Sequence, residues 1–270
     1  MEELSKVSVL IGTYNRASLL SRCLDSVFAQ SYKNIEVIVI NDKSTDNTIE
    51  VLEKYKKRYP TRFKYINNKT NRGIAYNSNL AFSNSSGEYV ALIGDDDEWY
   101  NQKKIAMQID VFRKNEKLGI VSTYWNDIKN KQVVNQHKPT INSDPLCQIL
   151  KGNGVYCGST VLVSKIAWEL VNGFDEKLRR GTDSELFRSI IKKRFKTQII
   201  PVSSTNVFID DHFRMTPVNS YVLQKKALNA NLYLLSKYFF DYLKYPSALF
   251  VRVLNIIKLY YKLIITVIKR

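Results

Sequence analysis

Residues 89–99 read YVALIGDDDEW, and this stretch decides how the chain is organised. Tyr89 to Ile93 are apolar or aromatic and run into Gly94, then into Asp95, Asp96, Asp97 and Glu98. A short apolar run closed by a turn signal reads as a strand buried on both faces. The acids therefore stand where a central strand leaves its sheet. In α/β sheets, ligands bind in the crevice beyond the carboxyl ends of the strands. Carboxylates this crowded repel one another unless a cation shares them. A divalent metal holding a phosphorylated ligand meets both conditions, because Mg²⁺ and Mn²⁺ take carboxylate oxygens together with substrate phosphates. The plainer reading is a solvated acidic turn, and the surrounding sequence decides between them.

Working outward, strands and helices alternate through the first half. Strands are expected at Val7–Ile11, Ile35–Asn41 and Phe63–Ile66, with helices at Ser18–Ala29, Asp46–Arg58, Gly73–Asn84 and Gln102–Lys114. This alternation predicts an α/β fold, a mostly parallel sheet flanked by helices. Right-handed crossovers place the loops Thr13–Arg16, Asn41–Asp46 and Gly94–Glu98 on one rim. The second half is less regular. Strands are expected at Gly119–Tyr124, Thr160–Val163 and Thr197–Val202, and a helix begins near Thr182, where Thr182 and Glu185 have capping-box spacing. Helices over Asn219–Leu243 and Ser247–Lys269, broken at Pro246, make a C-terminal extension. The expected division is 1–216 for the catalytic domain and 217–270 for the extension.

A chain of 270 residues can bury a full core, and 44% hydrophobic with 24% charged residues is ordinary for a globular protein. The formal charge of +16 is not, and it favours an anionic partner: nucleic acid, an acidic membrane surface or phosphorylated substrates. Three scattered cysteines argue against a disulfide framework or a zinc site and for a reducing compartment. Polar residues lead straight into the first strand, so no signal peptide is expected. No apolar run reaches the ~18 residues of a spanning helix.

Two buried strands in residues 7–48 each end in small polar residues, Thr13-Tyr14-Asn15-Arg16 and Asn41-Asp42-Lys43-Ser44. A flat base needs a stacking face and an edge partner, which Tyr14 and Asp42 can offer. Asp46 reads as a cap for the next helix. VSVLIGTYNR, NDKSTDNT, NRGIAYNSN and SSGEYVALIGDDDEW, in this order, resemble the nucleotide-sugar-binding half of a family 2 (GT-A fold) glycosyltransferase over roughly residues 7–215. The chain departs from the family at Gly12, where proline is usual, at Lys43, where glycine is common, and at Ser78, which replaces the arginine of an "ARN" triplet.

The resemblance implies that Thr13, Tyr14 and Asp42 bind the nucleobase, usually uracil, with Arg72 and Asn79 also on the nucleotide. It gives the acidic turn the "DxD" role, binding ribose and a divalent metal, Mn²⁺ or Mg²⁺. By register Asp96 is the best metal ligand and Asp95 the ribose neighbour, while Asp97 competes for a place in the set. Gly173-Phe174-Asp175-Glu176 followed by Gly181-Thr182-Asp183 resembles the family's "GGFDE…GED" segment. That implies Asp183 is the general base of an inverting transfer. In relatives a histidine near His212 completes the metal site; an ordinary surface histidine is the alternative.

The implied donor is a UDP-sugar and the implied acceptor a cell-envelope or lipid-linked glycan. The tail SALFVRVLNIIKLYYKLIITVIKR, residues 247–270, is a basic amphipathic helix that fits an anionic membrane surface, or packs on the core or a second subunit as a homo-oligomer. The expected location is cytoplasmic, peripheral to the membrane. Two alternatives remain. Nucleotidyl transfer would want a more glycine-rich, basic first loop than IGTYNR. A nucleic-acid-binding module would suit the charge, but no RNA or DNA motif is present and acids line the proposed cleft, so nucleic acid is not an expected partner.

Overall fold

A computed structural model describes residues 5–141, 144–152, 155–209 and 221–268. Its centre is four parallel strands in the order β3-β2-β1-β4: β1 is Val7–Thr13, β2 Ile35–Asn41, β3 Phe63–Asn67 and β4 Tyr89–Leu92. Every residue of β2 is buried, because helices cover both faces. On one face α1 (Ala17–Phe28), α2 (Thr48–Arg58) and α4 (Lys104–Lys114) pack Leu20, Leu24, Leu52, Tyr55, Ile105 and Ile109 against Val7, Val9, Val37 and Val39. On the other, α3 (Ile74–Ser83) and α7 (Thr182–Lys192) bring Ala75, Ala81, Leu186, Phe187 and Ile190 to Leu10, Ile38 and Ile40.

The sheet then changes direction. β7 (Leu162–Ser164) lies antiparallel between β4 and β5 (Leu118–Lys129), and β8 (Lys196–Phe208) runs parallel along β5. β6 (Gln132–His137) was not expected; it forms a hairpin with β5 through Asn130 and Lys131, both with positive φ. His137 is on that strand, stacked on Trp125 and bonded to Asp127. Two short helices were also missed: α5 (Pro145–Leu150), capped by the Asp144 carboxylate, and α6 (Lys165–Leu170), capped by Ser164.

Opposite the rim, at the strands' N-terminal ends, Glu36 is buried and accepts hydrogen bonds from Ser8 Oγ (2.7 Å) and the Ser86 amide (2.6 Å), with Lys6 Nζ at 3.1 Å. Burial alone would raise its pKa; these partners hold it down at about 2.

The C-terminal segment forms α8 (Tyr221–Lys237), α9 (Phe239–Lys244) and α10 (Pro246–Ile268), so the expected single helix over Asn219–Leu243 is broken at Tyr238. Ala230, Leu234, Tyr238, Tyr242 and Ala248 share an apolar cluster with Leu150 and Leu178. Arg252 donates to the Leu150 carbonyl at 3.0 Å. The extension is thus packed on α5 and the loop before α7. The expected boundary at 216/217 lies outside the described residues. None of the described helices is long and apolar enough to cross a membrane.

Candidate active site

The three rim loops are tied together. The Asn15 amide donates to Ser44 Oγ (2.9 Å), and the Thr45 amide donates to Asn15 Oδ1 (2.7 Å). Asp46 accepts from the amides of Ala17 and Thr48, each at 3.1 Å, so it serves the first turns of both α1 and α2. Asp42 is buried at the end of β2. Its carboxylate accepts from Asn68 Nδ2 (2.9 Å) and from the amides of Arg72 and Gly73 (2.8 Å each). Burial opposes its charge, but these donors prevail and hold its pKa below the ordinary value. Asp42 thereby pins the loop that carries Arg72, whose guanidinium lies 4.3 Å from the Tyr76 ring centroid. Thr13 is buried beside it on the rim. Tyr14 follows, half-buried. Asn79 stands apart: its amide bonds Phe174 N and O and Glu176, clasping α3 to the loop before α7.

At the acidic turn the three aspartates differ. Asp95 and Asp97 are buried, and Asp96 is the partly open one. Arg16 Nη1 lies 2.8 Å from both Asp95 Oδ1 and Asp96 Oδ2, a cation shared by two carboxylates. Burial pushes Asp95 up, against the pull of Arg16. Burial and the charge of Asp96 push Asp97 up to about 8. Asp97 accepts from the Ser159 hydroxyl and from the Phe208 amide at 3.4 Å; the same hydroxyl receives the Gly94 amide at 2.9 Å. Arg22 Nη2 donates to the Asp96 carbonyl at 2.6 Å while its guanidinium covers the Phe208 ring. A Cβ on Gly94 would meet Asp96 Oδ1 at 2.9 Å and Asp97 Oδ2 at 3.1 Å, so the glycine at this position makes room for the two carboxylates.

Among the described residues no three His, Cys, Asp or Glu side chains converge as a closed metal cage. The hard oxygen donors of the turn fit the other arrangement, in which Mg²⁺ or Mn²⁺ is held by one or two carboxylates and completed by substrate phosphates. His212 lies outside the described residues.

Asp183 is the second residue of α7. The expected capping box does not form: Gly181, with φ +70°, is the cap residue, Thr182 lies inside the first turn, and Glu185 is taken by Ser189, Lys237 and Tyr238. The Asp183 carboxylate packs against Gly158, and burial raises its pKa. Asp183, Asp97, Gly94, Gly158, Ser159 and Ser78 line one pocket of 220 Å³. The glycine-rich turn before β7 is therefore part of the site. Burial also pushes the Cys157 thiol up, which disfavours a thiolate there. The sequence placed Arg16 on the rim and left the Gly152–Ser159 turn open between a tight connection and part of an acceptor pocket, but it gave neither Arg16 nor Ser159 a role of its own.

Gly94 and Asp97 of the acidic turn thus share a pocket with Asp183, and Arg16 joins the first rim loop to Asp95 and Asp96. The profile of Glycosyl transferase family 2 matches residues 8–170. EpsE of Bacillus subtilis is 28% identical over 193 residues, 71% of this chain and 68% of that one. Two solved structures share the fold. One is a mannosyltransferase from Pyrobaculum calidifontis in complex with GDP-Man and Mn²⁺ (TM-score 0.64, 17% identity, 88% of this chain and 65% of that one). The other is S. aureus TarS in complex with UDP-GlcNAc (TM-score 0.65, 19% identity, 85% of this chain and 66% of that one). The chain spans about two thirds of these structures, and 38% of a curated Rickettsia felis glycosyltransferase that it also matches. With residues 8–170 under the family profile and the same sheet found in these structures, this chain belongs to glycosyltransferase family 2.

Proposed function

We propose that the protein is an inverting, metal-dependent glycosyltransferase that moves a sugar from a UDP-sugar to a hydroxyl of a cell-envelope or lipid-linked glycan. The observation that carries this reading is the 220 Å³ pocket in which Asp183 and the acidic turn face the same space. The acceptor hydroxyl gives its proton to Asp183 as its oxygen attacks the anomeric carbon. The bond from that carbon to the diphosphate breaks on the opposite side, and a single displacement inverts the centre. Tyr14 and Asp42 take the base, with Thr13 and Arg72 beside them. Asp96, with Asp95 or Asp97 adjacent, would hold Mn²⁺ or Mg²⁺, which neutralises charge on the departing nucleoside diphosphate. Ser159 and Arg22 position the turn.

The C-terminal helix supports docking on the cytoplasmic face of an anionic membrane. Phe250, Val253, Ile257, Tyr260, Ile264 and Val267 recur at three- and four-residue spacing and are exposed, Phe250 by 65%. Lys258 and Lys262 stand beside this stripe, and no acid interrupts the helix. Cosedimentation with anionic but not zwitterionic vesicles is the expected outcome, and loss of binding on Ile257→Glu checks the face.

Turnover of candidate UDP-sugars with Mn²⁺ or Mg²⁺ tests the chemistry. Asp183→Asn should lose transfer while still binding donor, and Asp96→Ala should lose metal-stimulated turnover. No turnover of any donor, or full transfer by Asp183→Asn, overturns the assignment.

A further inference from the structure

Beside the rim lies a second, wider cleft of 960 Å³, lined among the described residues by Arg16, Arg72, Arg179, Arg180 and Lys226 with one acid, Glu176. Two of these cations have work elsewhere. Arg16 is shared by Asp95 and Asp96, and Arg72 lies on Tyr76 in the loop that Asp42 pins. Arg179, Arg180 and Lys226 form no ion pair among the described residues.

Arg179 is held in place. Its Nη1 donates to the Arg72 carbonyl at 2.9 Å, over Gly73, where a Cβ would lie 3.0 Å from the same nitrogen. Gly73 has φ +85°, so the close approach and the backbone both call for glycine. Arg179 and Arg180 immediately precede Gly181-Thr182-Asp183, so the loop that delivers the catalytic carboxylate also delivers two guanidinium groups to the cleft. Lys226 comes to it from α8. Three cations that converge with no ion-pair partner among the described residues suit an anion from outside the chain, and guanidinium forks match phosphate oxygens.

We propose that Arg179, Arg180 and Lys226 bind a phosphate carried by the acceptor, so that the sugar is transferred to a phosphorylated molecule. This rests on Asp183 being the base, which puts the acceptor beside this loop. The phosphate is borne either by a lipid or by a soluble or polymeric glycan, and the two sources share the same recognition chemistry.

Calorimetric titration of the full chain with farnesyl phosphate, with glucose 1-phosphate and, separately, with UDP tests it. At least one phosphate probe should bind, farnesyl phosphate alone indicating a lipid-borne group and glucose 1-phosphate a soluble one. Arg179→Gln should weaken that probe about tenfold, the usual size for a charge-assisted contact. Arg180→Gln combined with Lys226→Gln, at exposed positions, should do the same with an unchanged melting temperature. Raising the salt should weaken the probe further in the wild type than in the variants. Binding of neither probe, unchanged probe affinity in both variants, or an equal fall in UDP affinity overturns the proposal; the last would give these cations to the donor. Full transfer by Asp183→Asn would instead fail the base assignment, a separate result read in a separate assay.

Discussion

The Asp183 carboxylate lies where a side chain on Gly158 would be: a Cβ there would stand 2.5 Å from Asp183 Oδ2 and 3.1 Å from its Cγ. The two residues are on different elements, one in the turn before β7 and one in the first turn of α7. Gly158→Ala must therefore move the carboxylate or the turn. A displacement of about 1 Å costs on the order of 100-fold in rate at a reacting centre. The expected outcome is a kcat lowered by about that factor with the donor KM little changed, read from steady-state kinetics.

Arg16 bridges Asp95 and Asp96, the carboxylates that would meet a divalent ion. Removing it leaves two neighbouring negative charges without their shared cation. Arg16→Met is expected to tighten Mn²⁺ binding in the absence of nucleotide by about tenfold, the size of a lost charge-assisted contact. Titration of the free-Mn²⁺ paramagnetic signal checks this. Weaker binding would mean that Arg16 holds the acids in place and does not compete for them.

Lys43 occupies the left-handed region, with φ +68°, and its side chain is exposed. A non-glycine residue there costs roughly 1–2 kcal/mol, and glycine returns part of that as unfolded-chain entropy. Lys43→Gly should stabilise the fold by up to about 1 kcal/mol. Urea unfolding at constant m-value measures it.

Lys104 is buried, its Nζ 2.9 Å from Gln108 Oε1 and 4.2 Å from the Trp99 ring centroid, and burial lowers its pKa to about 7. The unfolded chain keeps that proton to about pH 10. Between these values the unfolded state binds more protons, so stability rises with pH through this group. Between pH 7 and pH 9 the melting temperature of the wild type should gain on that of Lys104→Met as pH rises, which differential scanning calorimetry of the pair measures.

The first half of the fold was legible in the chain because its signals are local. β1, β2 and β4 are near-continuous apolar runs, and each ends in polar residues where it leaves the sheet. β6 was not legible: Val133 and Val134 are both exposed on this edge strand, and its turn uses Asn130 and Lys131 without a glycine. The short β7 takes its direction from β4 and β5, which its own three residues do not specify. The capping-box reading failed for a related reason. Thr182 and Glu185 had the right spacing, but Lys237 and Tyr238, more than fifty residues on, claimed the glutamate.

The same division runs through the site. By itself the sequence determined that an acidic turn closes a buried central strand, that polar loops after β1 and β2 share its rim, and that Asp183 opens a later helix. Those features follow from hydrophobic patterning and from turn chemistry over a few residues. Only the tertiary structure decided that Asp96 is the open carboxylate, that Asp97 is buried under Ser159, and that Arg16 bridges Asp95 and Asp96. Charge and protonation depend on burial and on partners brought in from 62 to 80 residues away. Such contacts exist only once the sheet has assembled.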